Sequence, residues 1–363
     1  MRRAALLLGL LLLLTACGPD PAVPPTATPA PAPTATPAPE AQGPKVHTDW
    51  SRLEEREDLP EPVGERWYDT YVDGLIPGDY GGELVPYAGL RLTDDWPARE
   101  GGGCLYGLMT RSGTAVCDPV YSSVSRLNGG DWWRLEPEDI YPVLALGRAA
   151  PMTDGEYRYA QERYAFAAVD GSWRTEHVYR LYATGSRGIF AATDDGCVLM
   201  DRAGTELRRW TWADLGYSQE HQPPFNDFLE TYIEWVGDGI LLEENEEQAR
   251  ILNLDTGGVE TWTLQAWLDA REAAAGDYEY DPTRRFDPYT AQLYFLEGER
   301  LNEVPLVLKN AGGEEVARIE RPTWVSSLGM VDGLVEILER DTATYQEQDG
   351  TVVFRQRLGI ADG

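Results

Sequence analysis

The feature that most constrains this chain is a turn glycine recurring between short, strand-like apolar runs. Tyr106 to Tyr121 and Tyr164 to Tyr179 are two such copies. Each places an aromatic seven residues before the glycine (Gly113 or Gly171) and ends in Val-Tyr. A weaker copy runs from Cys197 to Trp212 around Gly204, and looser hairpins follow at 250–264, 306–319 and 344–358. The signals are hairpin dipeptides: Asp170-Gly171, Ala203-Gly204, Gly257-Gly258, Gly312-Gly313 and Asp349-Gly350. Glycines 113, 171, 204, 257, 313 and 350 are spaced by 58, 33, 53, 56 and 37 residues. The spacing is irregular, but each interval is the size of one supersecondary unit. A lone hairpin is marginal in water, so the copies must stack to bury a shared core and shield their edges. The expected fold is therefore mainly all-β. Repeated hairpins would form either an irregular β-propeller-like domain or a line of stacked sheets, and the uneven spacing favours the propeller with insertions.

Two insertions read as helices. In residues 263–275, Thr263 is placed to cap, and Leu264, Trp267 and Leu268 form an i, i+3, i+4 stripe that Arg271 interrupts; Gly276 would end the helix. Residues 226–235, with Phe228, Tyr232 and Trp235, are a weaker candidate.

The first copy resembles a WG repeat. It has the aromatic-Gly pair Tyr106-Gly107, a polar turn ending in Gly113, then Val116 and the closing Pro119-Val120-Tyr121, with Tyr where that family usually has Trp. The resemblance is specific over about 20 residues and degenerates along 106–363. It implies a β-rich, interaction-mediating domain and transfers no catalytic motif.

The amino terminus gives the compartment. Met1-Arg2-Arg3 is a positive start, and Ala4 to Leu14 is an apolar run. That run falls short of the about 20 residues needed to span a bilayer. Leu14-Thr15-Ala16-Cys17 follows. This is a secretory signal, and it resembles the bacterial lipoprotein signal, which implies cleavage before Cys17 and diacylglycerol on its sulfur. Buried acyl methylenes contribute about 0.8 kcal/mol each, so two or three chains anchor stably. Residues 18–44 hold ten prolines among mostly Ala and Thr. Such a segment favours polyproline II and can reach about 80 Å. The organisation expected is a signal peptide at 1–16, a lipidated Cys17 and Pro/Thr/Ala-rich linker at 17–44, and a β-rich domain at 45–363.

Charge then excludes partners. The chain has 31 Lys+Arg against 61 Asp+Glu, a net charge of −30. Arg2 and Arg3 cancel Asp20 and Glu40, so the domain carries all of it. No basic face is available to release counterions from nucleic acid. The same charge repels anionic lipid, a reason for a covalent anchor and a spacer.

Chemistry is sparse. His47, His177 and His221 are not in metal-ligand spacing, Gly101-Gly102-Gly103 lacks the Lys-Ser/Thr of a phosphate loop, and no Gly-x-Ser-x-Gly elbow occurs. The acidic pairs Asp94-Asp95, Asp194-Asp195, Glu243-Glu244 and Glu314-Glu315 match no calcium loop. No catalytic, metal or cofactor residue is assigned. Cys104 and Cys117 flank the first hairpin; a disulfide between them stays open in an exported protein, although simple register sets them diagonal. The 12 tryptophans offer Trp132, Trp133, Trp210 and Trp212 as ligand-stacking faces, with filling of the β core as the alternative. The expectation is a lipid-anchored envelope lipoprotein on the outer face of the cytoplasmic membrane. It would be a non-enzymatic binding or scaffold module for a cell-wall glycan or envelope protein. The competing reading is a carbohydrate-binding or carbohydrate-active, glycoside hydrolase-like surface protein.

Overall fold

The computed structural model describes residues 74–91, 104–130, 135–148, 162–218, 233–275, 281–298, 305–320, 325–339 and 342–360. They belong to one compact unit spanning Gly43–Gly363. Cys17 and the linker, Trp132 and Trp133, and residues 226–232 lie outside them.

Six small sheets follow one another along the chain. The first holds β1 (Leu84–Arg91), β2 (Cys104–Thr110) and β3 (Ala115–Tyr121); the second β4 (Ser123–Asn128), β5 (Ile140–Arg148) and β6 (Arg163–Ala168). The third is β7 (Leu181–Gly185), β8 (Gly188–Ala192), β9 (Gly196–Met200) and β10 (Glu206–Thr211). The fourth is β11 (Trp235–Val236), β12 (Gly239–Glu244), β13 (Gln248–Asn253) and β14 (Val259–Thr263), followed by α1 (Leu264–Ala275). The fifth is β15 (Arg284–Phe286), β16 (Leu293–Glu297), β17 (Leu306–Asn310) and β18 (Glu315–Ile319). The sixth is β19 (Val325–Val331), β20 (Leu334–Glu339), β21 (Thr342–Gln346) and β22 (Val352–Arg357). Finally β23 (Gly359–Ile360) returns to lie parallel to the end of β1, completing the first sheet.

The hairpins expected from sequence are the last strand pairs of these sheets. Tyr106 pairs with Tyr121, Cys197 with Trp210, and Leu306 with Ile319. In the second sheet the returning strand is reduced to the bridges Tyr164↔Tyr179 and Ala167↔Arg174. All six turn glycines have positive φ, from 70° to 88°. Five of them donate their N–H to the carbonyl three residues back, for example Gly113 to Thr110 at 2.9 Å. This is a type I turn followed by a left-handed residue, where a Cβ costs energy. An Asp or Asn at the turn entry accepts the remaining amides, as Asn310 Oδ1 does from Gly312 and Glu314 at 3.0 Å.

The apolar cores show how the sheets are arranged. One buried cluster joins the second and third sheets through Tyr141, Phe166 and Ile189. Another joins the third and fourth through Phe190, Trp210 and Ile240. A third joins the fifth and sixth through Tyr294, Leu308 and Leu328. The largest joins the first, second and sixth sheets through Tyr87, Leu144, Leu334 and Tyr345, with Tyr289 of the fifth inside it. A line of stacked sheets would hold the first and sixth at opposite ends. Their shared core makes the domain an irregular, propeller-like ring of sheets.

The helix at 263–275 forms as read: Thr263 Oγ1 accepts the Ala266 N–H at 3.2 Å. Its buried anchor is Trp267, packed on Ala249 and Ile251 of β13. Leu268 instead stays exposed, so the stripe is narrower than expected. The helix expected to 235 does not reach its end, because Trp235 opens β11.

Candidate functional site

Two of the four side chains expected to stack on a ligand lie in the core. Trp210 and Trp212 are buried; their indole N–H groups donate to the carbonyls of Gly257 at 3.0 Å and Asp194 at 2.9 Å. With the faces covered and the N–H occupied, both are core residues. Cys104 and Cys117 are both buried, and no disulfide joins them. Cys117 pairs with Leu108, so the β2 strand carries Cys104 four residues beyond the cross-strand partner, too far for a disulfide.

The strongest convergence of polar groups lies where the fifth and sixth sheets meet the first and second. It starts with a hairpin turn. Asp332 (φ 48°) and Gly333 (φ 73°) join β19 to β20 in a left-handed turn that turns their amides outward. Asp287, fully buried in the loop after β15, captures them. Its Oδ1 accepts from Asp332 N at 3.0 Å and from Tyr289 N at 2.9 Å, and its Oδ2 from Gly333 N at 2.6 Å. Arg111, in the turn after β2, donates through Nε to the Asp332 carbonyl at 2.9 Å. Its other two nitrogens grip the Glu347 carboxylate, both at 2.9 Å. This fork-to-fork pairing is the strongest geometry available to an arginine.

Tyr289 carries the cluster into the ring. The Arg126 guanidinium from β4 sits 5.1 Å from the Tyr289 ring centroid, at cation–π range. Arg126 is itself buried; it donates to the Tyr141 carbonyl and pairs with Glu83 at 2.9 Å. The Tyr289 hydroxyl is buried with no hydrogen-bond partner, and burial raises its pKa steeply. Burial first, then the Asp287 carboxylate, pushes Asp332 up to about 6. The Glu347 carboxyl is held below its ordinary range by its bonds to Arg111.

The chemistry of this arrangement is clasping. Its acceptors are filled by backbone amides and guanidinium groups, and no nucleophile stands against a base. Among the described residues no three His, Cys, Asp or Glu side chains gather to hold a metal ion. A second buried carboxylate, Glu162, is likewise filled: Ser122 donates to it at 2.6 Å, Ser123 at 2.8 Å and Tyr164 at 2.5 Å. Sequence reading did not find the clasp. The Asp332-Gly333 dipeptide was its one local signal; Asp287, Tyr289, Arg111 and Arg126 sit in unremarkable contexts and meet only in the folded ring.

No protein-family model and no curated protein sequence matches this chain. Among solved structures, the chain is similar to apo AztD from Citrobacter koseri (8% identity, TM-score 0.22), covering 60% of this chain and 57% of that one. The alignment thus spans little more than half of AztD. BamB from Moraxella catarrhalis is similar at 8% identity and TM-score 0.20, over 77% of this chain and 84% of its own. The Neurospora crassa Pan2 WD40 domain gives 8% and 0.22, over 70% and 62%. Likenesses at this level carry neither ancestry nor activity.

Proposed function

We propose that this protein is a lipid-anchored, extracytoplasmic binding or scaffold module of the bacterial cell envelope. Cys17 carries the lipid, the Pro/Thr/Ala-rich segment to residue 44 is the spacer, and the propeller-like ring, built on WG-like hairpins, is the partner-binding body. What supports this reading is the propeller-like packing of six hairpin-built sheets, the first and sixth sharing one core, taken together with the resemblance of residues 1–17 to a lipoprotein signal. Such a ring presents loops from several sheets on one surface, a rigid platform for a protein partner. The carbohydrate reading is weakened because Trp210 and Trp212 are enclosed; it now depends on Trp132 and Trp133.

The test has two arms. Wild-type protein should fractionate with membranes and Cys17→Ser should not; membrane attachment of the variant would overturn the anchor. Cross-linking of the full chain in intact cells should give a discrete adduct with an envelope protein. Cleavage of wall glycan fragments by the purified chain would instead favour the glycoside hydrolase-like alternative.

A further inference from the structure

Residues 74–83 run ahead of β1 and belong to no sheet. The first sheet is complete without them, because β23 takes the free edge of β1. They form an arm along the seam of the first and second sheets. Leu75 is the arm's one fully buried side chain, and it joins the core that these sheets share. Its N–H donates to the hydroxyl of Tyr121, the last residue of β3, at 2.8 Å. Ile76 and Pro77 are exposed. Gly78 then donates its N–H to the Gly171 carbonyl at 2.9 Å. The Tyr80 ring lies over the same glycine, where a Cβ would stand 2.7 Å from it. The turn glycine of the second sheet is thus also a seat for the arm.

The arm keeps its own shape and hangs on a hinge. Tyr80 Oη donates to the Ile76 carbonyl at 2.8 Å, and Asp79 Oδ1 accepts the Gly81 N–H at 2.9 Å. Gly81 and Gly82 are exposed, Gly81 has φ 77°, and a Cβ at either would meet nothing within 4 Å. Two glycines in open space can turn without a side-chain clash. Beyond them the chain is fixed again: Glu83 pairs with Arg126 at 2.9 Å, and the Leu84 N–H donates to the Val169 carbonyl at 2.7 Å. The other end of the arm closes at a cost. Gly74 sits against Arg148, with a Cβ position 2.7 Å from Nη2, and Arg148 Nε is buried without a hydrogen-bond partner. An unmet buried donor costs free energy, and lifting Gly74 admits water to that guanidinium.

We propose that this seam is a docking groove for an extended peptide segment of a partner protein, and that residues 74–80 are its displaceable occupant in cis. The arm shows what the groove accepts: a side chain of leucine size in the Leu75 pocket, the N–H of that residue on the Tyr121 hydroxyl, and a second N–H three residues on at the Gly171 carbonyl. Main-chain bonds supply affinity and the buried side chain supplies the choice of sequence. This locates the binding role proposed above and rests on that reading for the partner being a protein; the lipid anchor plays no part in it.

Two measurements on full-length protein in detergent test it. The first is amide exchange of the wild-type chain. Leu75 and Gly78 should exchange together and about a hundredfold or more faster than Leu84, as a locally opening segment does. Tyr121→Phe keeps the ring, removes the acceptor for Leu75 and should speed exchange at Gly78 by about fivefold. Protection at Leu75 and Gly78 equal to that at Leu84 makes the arm part of the core and overturns the proposal. The second is fluorescence anisotropy with a labelled peptide, Gly-Leu-Ile-Pro-Gly-Asp-Tyr-Gly-Gly, the sequence of residues 74–82. Leu75→Asp puts a charge where the pocket is apolar and should hold the arm out. The peptide should bind this variant saturably and about tenfold or more tighter than wild type, and should lose that affinity when its leucine is replaced by alanine. Leu75→Ala opens the arm more gently and should give an intermediate affinity. Absence of saturable binding to both variants, each with the circular dichroism of wild type, overturns the groove. That failure would leave membrane fractionation and envelope cross-linking as they stand, so the two readings fail separately.

Discussion

Asp287 of the fifth sheet accepts the N–H of Gly333 in the sixth at 2.6 Å, with its whole side chain shielded from solvent. One carboxylate thereby holds three backbone amides from two sheets. Asp287→Ala leaves those amides buried without acceptors and should cost about 3 kcal/mol or more, read as a lowered urea midpoint. A midpoint equal to wild type would show that the clasp does not hold the sheets.

The neighbouring Asp332 predicts a pH dependence. Its folded pKa of about 6 lies above the ordinary 3.8. The neutral form is therefore favoured by folding, and this contribution is fully present below about pH 3.8 and lost as pH rises through 6. Asp332→Asn keeps a residue tolerant of positive φ and removes the partly buried charge. It should be more stable than wild type at pH 7.5 and should flatten the stability change between pH 5 and 7. Denaturant curves across that range decide it; an unchanged slope would assign the titration to another group.

The seam between the sixth and first sheets predicts a loss from one oxygen atom. Tyr345 Oη accepts the Ala88 N–H at 2.8 Å and donates to Glu336 Oε1 at 2.9 Å. Burial raises the Glu336 carboxyl above its usual range. Tyr345→Phe keeps the ring but strands both partners, and should cost about 2 kcal/mol by thermal or chemical unfolding. Hydrogen exchange should quicken first at Ala88 and along β1.

Trp210 separates a core role from a ligand role. If it fills the junction of the third and fourth sheets, Trp210→Ala should destabilise by about 3 to 5 kcal/mol. Any affinity for glycans should be unaffected in the fraction that stays folded. Circular dichroism melts with a parallel glycan-binding assay distinguish the two.

The hairpins were legible because a tight turn needs a left-handed residue, and glycine is the residue that adopts it without strain. Gly113 shows the limit of that reading. Its positive φ of 88° was implied by its neighbours, but its close approach to the Val353 carbonyl, across the closing seam, was not. The inner strand pairs, such as β7 with β8, escaped notice because the turn between them, Ser186-Arg187, carries none of the Asp-Gly, Ala-Gly or Gly-Gly dipeptides that marked the others. Trp210 and Trp212 were ambiguous because a β-strand residue can face core or solvent, and only the neighbouring sheet decides which is covered.

By itself the sequence determined the local grammar. It set the turn positions, the strand pairs beside them, the capped helix at 263–275, and the strongly acidic charge balance. These depend on interactions within a few residues, so they can be read along the chain. The shared core of the first and sixth sheets and the Asp287 clasp depend on residues tens to hundreds of positions apart. Their proximity follows from how six sheets bury a common core, and that was decided by tertiary packing alone.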